Sequence, residues 1–165
     1  MKELNETTPQ TLQDLGFGGG IALWAIRACV AGRVNCCALV DGYERAFGAY
    51  GAQILSKLQM YTRFLGSHGN RRIGLGCSGC GAITHDEMSI IAVLAAGQSH
   101  ALDSVHAHLS WLLASSPTEE QVQLVMDIGD GFAKHGIIID SPEISISPAR
   151  APKKTTYWTG PAGNA

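Results

Sequence analysis

Four residues carry the chemistry that can be read from this chain: Cys77, Cys80, His85 and His68. Cys77 and Cys80 frame a Cys-x-x-Cys-Gly turn, the spacing at which two thiolates reach one tetrahedral metal. Gly79 and Gly81 free the backbone for left-handed angles and allow its N–H groups to face the sulfurs. Thr84-His85-Asp86-Glu87 then spells a capping box, with Thr84 as N-cap and Glu87 three residues on, ahead of the apolar run Met88 to Ala96. The spelling places the cysteines just before a helix N-terminus and His85 on its first turn. The positive end of that helix favours thiolate over thiol and disfavours a protonated imidazole. Anionic sulfur and neutral imidazole are the forms in which these side chains bind metal. The candidate site is a structural zinc on Cys77 and Cys80, with His85 and His68 as the remaining ligands.

The same turn has two further readings. As a redox pair, one cysteine would be the low-pKa thiol and the other its resolving partner. As packing, the two would be small residues in a tight turn. A single C-x-x-C is half of a zinc signature, so spacing alone leaves all three open. Gly74-x-Gly76-x-x-Gly79 matches a dinucleotide fingerprint, but no βαβ unit surrounds it and cysteines fill the phosphate loop.

The elements that position these residues are helical in pattern. Ile21, Trp24, Ala25 and Ala28 recur at helical spacing up to Val30, and Asn35 can cap a second helix from Cys36 to Phe47. From Ala52, the positions Ile54, Leu55, Leu58, Tyr61, Phe64 and Leu65 form one stripe. Beyond the cysteine turn come helices from His85 to Ala96, from His100 to Ala114, and from a second capping box at Ser116–Glu119 to His135. Gly18-Gly19-Gly20 reads as a hinge, Arg71 and Arg72 as solvated, and Cys29, Cys36 and Cys37 as core residues, since free cysteine is commonly buried. Ile137–Ile139 is a β-branched run able to pair with Ile73–Leu75. The expected fold is all-α: a single-domain bundle of about six helices with at most one short two-stranded β pairing. Residues 1–19 form a flexible lead-in, 20–140 the helical domain, and 141–165 a Pro-rich disordered tail.

Composition bounds the partners. Apolar residues make up 45% of the chain and charged residues 16%, enough to bury a core. A formal charge of −2 argues against a general nucleic-acid binder. Met1 to Gln10 is polar, unlike a secretory signal, and the longest apolar run, Leu15 to Ile26, is too short to span a bilayer. The expectation is a cytoplasmic protein with reduced thiols, binding an unknown protein partner or forming a homodimer, with no membrane contact.

From about Ala22 to Ala96 the chain resembles a small, uncharacterised bacterial family with a domain of unknown function. Three blocks carry the resemblance: Ile26-Arg27-Ala28 with Ala31-Gly32, then Ile54-Leu55-x-x-Leu58, then the cysteine turn with Thr84-x-Asp86-Glu87. The chain departs from it in spelling Cys77-Ser-Gly-Cys80 where the family has adjacent cysteines before a proline, and Val34-Asn35 where it has histidine-aspartate. The resemblance implies no activity. It adds weight to the cysteine turn as more than packing. The leading functional reading is a non-enzymatic helical interaction or regulatory domain with a structural zinc, and the alternative is a cytoplasmic thiol redox protein using Cys77 and Cys80. No catalytic residue is assigned: the chain lacks H-E-x-x-H, G-x-S-x-G and the zinc-deaminase order.

Overall fold

The structure, a computed structural model, describes residues 11–142 and 155–158. A 3-10 turn over Leu12–Leu15 runs straight into helix α1, Gly16–Val30. Helices α2 (Cys37–Phe47), α3 (Gly51–Ser67), α4 (His85–Gln98), α5 (Leu102–Leu113) and α6 (Glu119–Lys134) follow, with strand β1 (Ile73–Gly76) between α3 and α4. Strand β2, Thr155–Trp158, pairs antiparallel with β1, Ile73 opposite Trp158 and Gly76 opposite Thr155. The fold is the expected all-α bundle, carrying one two-stranded ribbon.

Helix α4 is the axis. Every residue from Glu87 to Gly97 is buried, so α4 has no solvent face, and α5, α6, α1 and β1 pack around it. A helix apolar on all sides belongs in the middle of a bundle. Truncating Ile90 or Ile91, both fully buried, to alanine should cost about 2–5 kcal/mol each. Where α4 crosses α6, Gly97 faces Val125 and Gly129 faces Gln98; a Cβ on either glycine would overlap the facing helix. The stripe read for α3 is buried at all six positions.

Several expectations need correction. Gly18–Gly20 is not a hinge but lies inside α1, and the helix starts at Gly16. A Cβ on Gly18 would run into the Ile138 carbonyl, so glycine here lets α1 lie against the backbone of Ile138–Ile139. That segment does not pair with β1. The Gln98 side chain takes it instead, donating to the Ile137 carbonyl and accepting from the Ile139 N–H, both at 2.8 Å. The second capping box is two residues later than read: Thr118 caps the Gln121 N–H, and Gln121 returns to the Thr118 N–H. Cys36 is the N-cap of α2, and Cys36 and Cys37 are exposed rather than core. The lead-in expected to be flexible over 1–19 is helical from Leu12 on, and the tail expected to be disordered over 141–165 supplies strand β2 at Thr155–Trp158; residues 1–10, 143–154 and 159–165 lie outside the described residues.

Candidate functional site: a disulfide turn held by a buried ion pair

The site starts with an arginine in an apolar helix. Arg27 lies on the last turn of α1, four residues past Leu23 and one past Ile26, and is 3% exposed. A guanidinium has five N–H groups in a planar fork, and burial demands a partner for each. All five are met. Nε donates to Glu87 Oε1 at 2.6 Å and Nη2 to Glu87 Oε2 at 2.8 Å. Nη2 also donates to the Ala82 carbonyl at 2.8 Å, while Nη1 donates to the Cys80 carbonyl at 2.6 Å and the Cys77 carbonyl at 3.3 Å.

Glu87 is as fully used. It is completely buried on the first turn of α4. Besides Arg27, Oε1 accepts from the Gly76 N–H and Oε2 from the Thr84 N–H, both at 2.8 Å. A buried carboxylate and a buried guanidinium each carry a desolvation penalty of several kcal/mol, which only complete, well-aligned hydrogen bonding offsets. Both groups reach that condition. Gly76 has to be glycine here, because a Cβ would sit on the Arg27 guanidinium.

The object held is the cysteine turn. Cys77 and Cys80 are joined as a disulfide with Cα atoms 5.2 Å apart, inside the usual span for such a bond. The Cys80 N–H donates to the Cys77 carbonyl at 3.0 Å, closing the turn. Both cysteines are half-buried, and Ser78 and Gly79 between them are exposed. Beyond the turn, Leu12 donates its N–H to the Gly81 carbonyl at 2.9 Å.

The first turn of α4 also closes one edge of β1. Thr84 Oγ1 donates to the Gly74 carbonyl at 2.6 Å and accepts from the Glu87 N–H at 3.0 Å, the N-cap read from the sequence. Asp86 Oδ2 accepts from the Gly74 N–H at 2.6 Å, and its other oxygen pairs with Arg71. So β1 is bonded to β2 on one side and to α4 side chains on the other. Arg71 is not merely solvated, because its guanidinium also stacks 4.1 Å from the Trp111 ring centroid. Arg72 is exposed.

Of the four expected ligands, the structure joins Cys77 and Cys80 and does not gather the histidines with them. His85 meets the edge of Trp111, and His68 Nδ1 lies 2.9 Å from Ser67 Oγ. Among the described residues, no set of three His, Cys, Asp or Glu side chains is grouped to hold a metal. The three other cysteines are free thiols. Burial pushes the Cys29 thiol up, against the lowering effect of its hydrogen bond with Thr62 and of Arg63.

Arg27 is the site residue that reading by motif missed. Its signal was present: one arginine on a stripe otherwise made of Leu23, Ile26 and Val30 has to find a buried acid. Fold and site together define a class, an all-α bundle whose half-buried Cys-x-x-Cys disulfide is anchored by an internal arginine–glutamate pair. Comparison with family models, with curated proteins and with solved structures gives no significant match. Among the described residues, no helix is long and apolar enough to cross a membrane.

Proposed function

We propose that this protein exchanges thiols and disulfides through Cys77 and Cys80. The observation that carries the reading is the half-buried disulfide in a turn whose backbone is fixed by Arg27. A thiolate from a low-molecular-weight thiol or a partner protein attacks one sulfur, the S–S bond breaks, and the other cysteine leaves as a thiolate and takes up a proton. A second thiolate resolves the mixed disulfide. Two electrons and two protons enter the pair, and the reductant leaves as its own disulfide. In the cytoplasm, where thiol pools are reducing, disulfides are as a rule transient and functional, which suits a single pair beside three free cysteines. The protein partner expected from the sequence becomes the source or acceptor of that disulfide. The partial family resemblance supports a role for the turn and adds no activity.

Thiol titration of the unfolded protein tests this directly. Oxidised protein should expose three thiols and reduced protein five, since the pair adds two to the three that are free. Oxidised glutathione should return five to three. The Cys77→Ser/Cys80→Ser variant should show three in both states. Five thiols under every condition, with about one zinc per chain lost in that variant and in His85→Ala or His68→Ala, would replace this reading with the structural zinc domain.

A further inference from the structure

We infer that Arg27 is a positioning residue for the Cys77–Cys80 couple: it holds the turn in its closed geometry after the disulfide is reduced, and so favours re-oxidation. The inference rests on the exchange function proposed above and names the residue that tunes it. Arg27 donates no hydrogen bond to either sulfur. It binds the two cysteine carbonyls and the Ala82 carbonyl, all backbone atoms that reduction leaves unchanged. Nothing in breaking an S–S bond removes these acceptors. The reduced turn therefore keeps its shape, and the two thiols stay within reach of each other.

Two effects of Arg27 oppose each other in sign. A nearby cation stabilises thiolate and would favour the reduced pair. A fixed backbone removes conformational freedom from the reduced pair and favours the disulfide, as in any loop closure whose entropy is already spent. The second effect wins here. The charge of Arg27 is matched by Glu87 at 2.6 and 2.8 Å, so the pair presents little net field, whereas the fork is aimed at the turn. Arg27→Lys separates the two, because lysine keeps the charge and loses the planar fork.

The test is the equilibrium of the full-length protein with reduced and oxidised glutathione. Wild type and Arg27→Lys are compared, with Lys57→Ala as a remote control. Lys57 pairs with Asp127 between α3 and α6, away from the turn. Arg27→Lys should shift the equilibrium at least tenfold toward the dithiol, about 30 mV for a two-electron couple, and Lys57→Ala should not move it. A folded Arg27→Lys protein with the wild-type constant, or an equal shift in Lys57→Ala, overturns the inference. Hydrogen exchange in the wild type gives a second readout that needs no variant. The Gly76 and Thr84 amides donate to Glu87 and should stay protected within a few-fold on reduction. A loss of a hundredfold or more shows that the reduced turn is released, and overturns it. A wild-type protein that forms no disulfide at any glutathione ratio removes the proposed exchange function itself. Failure of the positioning role alone is marked by a wild type that cycles normally.

Discussion

At the scale of residues, Arg27 and Glu87 carry each other. Neither is tolerable alone in the core, so Arg27→Met should destabilise the protein by about 3–5 kcal/mol in urea unfolding, chiefly by leaving a buried carboxylate without its counter-charge. Arg27→Met/Glu87→Gln should recover much of that loss. Glutamine is neutral, and its carbonyl oxygen can still accept from one of the Gly76 and Thr84 amides. A double variant as unstable as the sum of the single ones would show that the pair is not coupled in this way. The free cysteines differ for a simpler reason. Cys36 and Cys37 are exposed at the start of α2, while burial raises the Cys29 pKa. A raised thiol is less ionised at pH 8, so Cys29 should react with iodoacetamide at least tenfold more slowly than Cys36 or Cys37 in the folded protein. Peptide mapping after timed alkylation checks the order.

At the scale of elements, α4 joins the site to the core. Its first turn supplies Thr84, Asp86 and Glu87 to β1 and to Arg27, and the rest of the helix is buried among its neighbours. The far end of α4 meets α6 at Gly97 and Gly129, where the backbones approach too closely for a side chain. Gly129→Ala places its methyl against the Gln98 backbone, which cannot move aside like a side chain. The helices must separate, and the change should cost about 1–3 kcal/mol despite alanine's better helix propensity, seen as a lower urea midpoint at unchanged slope. Local sequence carried the elements well where the signal was local. The Thr84 capping box and the α3 stripe from Ile54 to Leu65 are as read. The glycine cluster is helix and not hinge because Gly18 answers to Ile138, a residue 120 positions away in sequence. Ile137–Ile139 is no strand partner of β1 because the Gln98 side chain binds its backbone.

At the scale of the whole molecule, the disulfide is a small part of what holds the fold. It closes a loop of four residues, for which the chain-entropy relation gives about 2 kcal/mol at most. Because Arg27 holds that loop closed in the folded protein with or without the bond, reduction should lower unfolding stability by about this amount and no more, and the far-UV circular dichroism should be unchanged. A reduced protein that loses its helices would contradict the structure's division of labour between core and turn.

The sequence by itself determined the all-α character, most helix positions, the Cys77-x-x-Cys80 turn and the helix cap that follows it. These depend on spacing within a few residues, where periodicity and capping chemistry act. Tertiary structure alone decided that Arg27 meets Glu87 across 60 residues, that the Arg27 fork reaches the cysteine carbonyls, and that, among the described residues, His68 and His85 form no metal-holding group with the cysteines. A buried guanidinium reveals that a partner exists, but which acid it finds depends on how helices pack, and packing is a property of the assembled core.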